Sequence, residues 1–157
     1  MIPTALKSGV AVGAVVVIGI LAGLYVGTGL AQHSQQGLPF AVWVPRQQAE
    51  VGLFKNFMPS LGWAAAVLPA AAAVLSSGGR RVFFALAAAL IFATIVSTSF
   101  GEIPLNRQVF TWNPLEPIPG WEQTREAWLR FHWIKTGMSV AALIAAAVGL
   151  SRSAPTA

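Results

Sequence analysis

The chain has 157 residues, of which 55% are apolar and 10% charged, with a mean hydropathy of +0.66, a composition outside that of soluble globular domains and typical of integral membrane proteins. It contains no cysteine, which excludes disulfides, thiolate nucleophiles and cysteine metal sites. The formal charge of +5 comes from basic residues spread along the chain rather than gathered in a patch, so membrane lipid is an expected partner and nucleic acid is not.

Gly9 to about Gln32, GVAVGAVVVIGILAGLYVGTGLAQ, carries no charge and is long enough, at about 1.5 Å per residue, to cross a hydrocarbon core of about 30 Å. Lys7 before it and the small residues Gly29 and Ala31 near its end also suit a signal peptide. The run exceeds the roughly 7–15 apolar residues of a signal sequence, however, so a retained first helix is expected. His33 to Lys55 is more polar and includes Pro39, Pro45, Arg46, Gln47, Gln48 and Glu50. It is expected to be a loop, with at most a short interfacial helix at its end and Phe40, Trp43 and Phe54 at headgroup level.

The second helix is expected over about 57–76, where PSLGWAAAVLPAAAAVLS tolerates Pro69 because neighbouring helices can re-satisfy the freed carbonyl. Ser77 to Arg81 is a tight turn that makes its flanking helices antiparallel neighbours. The third helix is expected over about 82–102, reading VFFALAAALIFATIVSTSF through most of its length. Pro104 should then stop it, and with Pro114, Pro117 and Pro119 it predicts an irregular loop over 101–120. The last helix, over about 121–150, is roughly 45 Å long and outruns the bilayer.

Charge segregation sets the orientation. With both termini cytoplasmic, the inner side carries Lys7, Arg80, Arg81 and Arg152 and no acid, while every glutamate lies outside or at an outer helix end. The expected fold is therefore all-α: one domain over 1–157, a bundle of four transmembrane helices with both termini inside and a long proline-rich outer loop between helices three and four. The expected location is a bacterial inner membrane or its equivalent, as a multi-pass protein.

Polar side chains in the spans share faces. Tyr25, Thr28 and Gln32 line up on helix one, and Thr94, Ser97, Thr98 and Glu102 on helix three. In helix four, at about 100° per residue, Trp121, Arg125, Trp128, His132, Thr136 and Ser139 fall within roughly 80° of arc. All these stripes sit in the outer half, which predicts a polar cavity opening outward, since each such group in lipid needs a protein partner or water. His132, an ionisable group at membrane depth, is the leading functional candidate. Its bland alternative is a buried histidine bonded to Glu102 or Asn106. Lys135 either snorkels to the headgroups, the favoured reading, or neutralises an anion. Glu102 has Arg107, Arg125 or Lys135 as partners. No histidine or carboxylate spacing of a metal motif occurs, so no metal site is expected.

IPLNRQV at 103–109 and GWEQTREAWLRFHWIKTGMSVAALIA at 120–145 resemble the anthrone-oxygenase-like family of small membrane proteins. Members show a third helix ending in V/I-P-x-N and a fourth reading roughly W-x-x-x-R-x-x-W-x-x-x-H-x-x-R-T. Pro104, Asn106, Trp121, Arg125, Trp128, His132 and Thr136 match, and Lys135 stands where the family has arginine, which loses a planar fork. The resemblance implies a cofactor-independent monooxygenase that oxidises the activated methylene of an aromatic polyketide, anthrone to anthraquinone. In that scheme His132 is the base, Asn106 and Arg125 are oxyanion partners, and Trp121 and Trp128 stack on the flat substrate. Lys135, Thr136, Glu102 and Tyr25 complete the expected substrate pocket. Two other classes stay open at this point: a small accessory membrane subunit in a homo-oligomer or larger complex, and, more weakly, a transporter.

Overall fold

The computed structural model describes residues 3–152, and among these the chain is helix and loop without a strand. Helix α1 (Thr4–Ser34) is followed by α2 (Phe40–Phe54), α3 (Met58–Val74) and α4 (Gly78–Ser97). A π-helical turn (Thr98–Glu102) then leads directly into α5 (Ile103–Phe110), and α6 (Trp121–Ser151) closes the described chain. Three helical stretches, Thr4–Ser34, Gly78–Phe110 and Trp121–Ser151, are long and apolar enough to cross a membrane. The pair α2 and α3, bent by 52°, makes a fourth if it counts as one broken span.

Two sequence expectations need correction. Residues 33–55 are not mainly loop: α2 is a 15-residue helix. Pro39 immediately precedes it, and Pro45 sits in its second turn, where few intrahelical bonds are lost. Nor does Pro104 end the third helix. It occupies the first turn of α5, where a missing N–H costs little, so the stretch runs on to Phe110 and the irregular loop shrinks to 111–120.

The packing follows from small residues. Because lipid tails are as apolar as leucine, helices associate in a membrane through close contact rather than through the hydrophobic effect. Ala11, Ala14, Ala65, Ala72, Ala87, Ala142 and Ala146 are all buried in one cluster with Ile18, Leu21, Phe84 and Ile91. Within it α1 packs on α3 and α6, and α4 packs on the same two helices. Larger apolar side chains such as Val16, Val67, Leu86 and Ile144 point outward, as a hydrocarbon surround requires. Direction is readable from close contacts: Gly19 of α1 faces Leu143, while Gly29 faces Trp133, so α1 and α6 run antiparallel. Arg152 at the far end of α6 lies over the Phe83 ring at 4.6 Å, which brings it beside Arg80 and Arg81.

At the opposite end, α2 lies against α5 and carries a second core. Phe40 and Trp43 pack on Trp112 and Trp121, with ring centroids 5.5–6.4 Å apart. Phe40 and Trp43 are therefore buried in protein. Gln48 fastens the helix, its Nε2 donating to the carbonyls of Val109 at 2.9 Å and Trp112 at 3.1 Å.

Candidate functional site

The π turn brings the chain of α4 against α6. A side chain at Gly101 could not be housed there, since its Cβ would lie 2.5 Å from Phe131 Cδ1. Glycine at this point lets the two helices approach, and the next residue, Glu102, is buried between them. Lys135 Nζ donates to Glu102 Oε2, and His132 Nδ1 stands 3.3 Å from Glu102 Oε1. Lys135 thus neutralises an anion inside the protein. It does not reach outward as a snorkelling lysine would: at 5% exposure its ammonium is turned onto a buried carboxylate.

His132 is 1% exposed and held on every side. Its Nε2 lies 2.8 Å from the Tyr25 carbonyl oxygen, and a carbonyl only accepts, so Nε2 carries a proton. The remaining nitrogen, Nδ1, faces Glu102. Trp128 stacks on the imidazole at 4.8 Å and 16°, and Tyr25 meets it edge-on at 5.9 Å. From α1, Gly29 leaves room for the rings, as its Cβ would come within 3.2 Å of His132 Cδ2. The bland expectation for this histidine, a bond to Glu102 or Asn106, is met in part by the Glu102 contact. The Lys135 ammonium also sits 4.3 Å from the centre of the Tyr25 ring, a cation–π contact in a desolvated place.

Asn106 is held by its oxygen. Trp128 Nε1 donates to Oδ1 at 2.9 Å and Gln47 Nε2 at 3.4 Å, while among the described residues no group takes up the amide NH2. A further network runs behind it. Trp43 Nε1 donates to Gln32 Oε1 at 3.4 Å, and Gln32 Nε2 donates to Gln47 Oε1 and to Glu50 Oε2, each at 2.7 Å. These bonds tie α1, α2, α5 and α6 into one polar frame.

Against this frame lies a cavity of about 590 Å³, within the roughly 300–1,000 Å³ of small-molecule pockets. Tyr25, Glu102, Asn106, Trp128, His132 and Lys135 all line it, as do Glu50, Thr98 and Arg107. A second, more open groove of about 740 Å³ along Gly19, Gly23 and Gly27 shares Thr28, Glu50 and Phe54 with it.

Three expected site residues stand elsewhere. Trp121 belongs to the aromatic core with Phe40 and Trp43. Arg125 lies over the Trp121 ring at 4.7 Å and donates through Nη1 to the Leu38 carbonyl at 3.2 Å. Thr136 returns its hydroxyl to the His132 carbonyl at 2.8 Å, and Thr94 and Ser139 likewise bond to carbonyls of their own helices. Sequence reasoning missed the contribution of α2. Its signal was the spacing of Phe40, Trp43, Gln47 and Glu50, which fall on one face of a helix.

The family model described as anthrone oxygenase matches residues 50–148. The chain belongs to the anthrone oxygenase family. No curated protein and no solved structure matches it. The anthrone oxygenase match starts at Glu50 and runs into α6, so it takes in Glu102, Asn106, Trp128, His132 and Lys135. Tyr25, Gln32 and Gln47 lie before it. In this anthrone oxygenase family member, α1 therefore supplies part of the cavity wall from outside the matched region.

Proposed function

We propose that this chain is a multi-pass protein of a bacterial inner membrane or its equivalent, with four spans and both termini inside. In this reading it oxidises the activated methylene of a flat aromatic polyketide of the anthrone type with O2. The observation that carries the reading is the cavity itself. It is largely apolar, of a volume suited to a ligand of two or three fused rings, and it holds a buried Glu102–His132–Lys135 cluster on one wall. An accessory subunit needs no such space between its helices, and the family match points to oxygenase chemistry.

The reaction converts one CH2 group and O2 into a carbonyl and water. Its difficult steps are loss of a proton from carbon and transfer of electrons to O2 from the resulting anion. A dry apolar cavity lowers the cost of an electron-rich, delocalised anion that water would otherwise protonate. Charge that develops on the substrate oxygen needs preorganised donors, and the unpartnered Asn106 amide supplies one, with the Lys135 ammonium adding positive charge at the cavity wall. Trp128, anchored through Nε1 to Asn106 and stacked on His132, gives a fixed wall against which a planar substrate can lie. Arg125 and Trp121 belong to the aromatic core that positions α2 and α6, and neither lines the cavity.

Membranes bearing the wild type are expected to consume O2 when supplied with anthrone, and His132→Ala, which removes the ring that holds Trp128 in place, is expected to slow this by on the order of 10²-fold. Equal uptake by the two would remove His132 from the mechanism. No uptake by the wild type with any anthrone tried would remove the oxygenase reading.

A further inference from the structure

We infer that Glu50 is the proton acceptor of the reaction, the residue that takes the hydrogen from the substrate methylene. The inference rests on the oxidation proposed above and adds a catalytic residue to it. A base must present a lone pair to the space where the substrate lies. Among the side chains lining the cavity, the carboxylate and imidazole groups are the candidates: Glu50, Glu102 and His132.

Two of the three are already committed. The Nε2 proton of His132 is held by the Tyr25 carbonyl at 2.8 Å, and its Nδ1 faces Glu102 Oε1 at 3.3 Å. Glu102 places its other oxygen on Lys135, and all three side chains are buried. For either His132 or Glu102 to take a proton from substrate, this cluster must first open. Glu50 differs on each count. Its Oε2 accepts one bond, from Gln32 Nε2 at 2.7 Å, while among the described residues no donor reaches Oε1. Its one partner is a neutral amide and not a cation, so no ion pair engages it.

Glu50 is also braced. Gln32 is gripped by Gln47 at 2.7 Å and by Trp43 at 3.4 Å, which fixes the carboxylate in direction as a base requires. In the step, the C–H bond breaks, its electron pair passes into the ring system and onto the ring oxygen as an enolate, and the proton moves to Oε1. The enolate then gives electrons to O2 and forms the carbon–peroxide bond. The Glu50 proton goes to the peroxide. The hydroperoxide then loses water, its remaining C–H proton passing to the departing oxygen as the O–O bond cleaves, which leaves the ketone without further use of Glu50.

Proton removal can be read without oxidation. In D2O under nitrogen, NMR follows exchange of the anthrone methylene hydrogens in proteoliposomes, corrected for the rate without protein. Glu50→Gln keeps an acceptor for Gln32 but cannot take a proton. It is expected to exchange at least about 10²-fold more slowly than wild type. Its affinity for the unreactive product anthraquinone, read by quenching of tryptophan fluorescence, should be unchanged. With oxygen present, a nitro-substituted anthrone already ionised at the assay pH is expected to restore turnover in Glu50→Gln to within a few-fold of wild type, which a merely structural role does not allow. Wild-type exchange in Glu50→Gln, or failure of the ionised substrate to rescue, overturns the assignment. Should Glu50→Gln fail to accumulate, Glu50→Asp is expected to exchange more slowly than wild type at unchanged product affinity, and equal exchange overturns it. The two readings fail separately. Oxygen uptake with exchange indifferent to Glu50 removes only the base. Exchange that depends on Glu50, in a wild type that consumes no O2, removes only the oxygenase.

Discussion

Lys135 and Glu102 are exposed by only 5% and 3%, and each is tolerated there because the other is present. Removing one partner of a buried ion pair leaves an uncompensated charge, a loss of about 3–5 kcal/mol, whereas replacing both with apolar groups is often neutral. Lys135→Met is thus expected to lower stability by about 3–5 kcal/mol in denaturant titrations of the protein in micelles. The double variant Lys135→Met with Glu102→Leu should recover most of it. A double variant no more stable than the single would show that the pair does not act as a unit. At this scale the sequence was informative where helical phase governs: His132, Trp128, Lys135, Glu102 and Tyr25 all line the cavity. Phase could not say which partner Lys135 would choose. That depends on a π turn bringing Glu102 within reach, and no periodicity rule anticipates such a turn.

Among the elements, α2 is where the reading of the sequence failed. Two prolines and several glutamines suggested a loop, but Pro39 lies just outside the helix and the glutamines are the fasteners that tie it to α1 and α5. The long loop after Glu102 was misjudged for a related reason, since a proline in a first turn starts a helix as readily as it ends one. The junction of α4 and α5 is tight against α6. Gly101→Ala is expected to cost about 1–3 kcal/mol through overpacking, because the added carbon would lie 2.5–2.9 Å from three atoms of Phe131. Combining it with Phe131→Leu should return most of the loss in the same unfolding assay. Additive losses would place the strain elsewhere.

For the whole molecule, the antiparallel contact of α1 with α6 and the turn between α3 and α4 put Lys7, Arg80, Arg81 and Arg152 at one end, with the cavity toward the other. Since the natural chain has no cysteine, single cysteines report the sides without background. Leu115→Cys in the 111–120 loop is expected to react with a charged, impermeant maleimide in intact cells, and Ser77→Cys only after lysis. The reverse pattern would invert the topology, and equal labelling would refute it.

The π turn at Thr98–Glu102 gives this site a dependence of an unusual kind. One residue more or fewer in a helix rotates everything beyond it by about 100°. A deletion within those five residues would keep Asn106, Trp128 and His132 in the chain, yet turn Asn106 away from the other two. The site is thereby encoded in a count as well as in its letters. Loss of a single codon at this point would disable it without altering any residue that lines the cavity on α6.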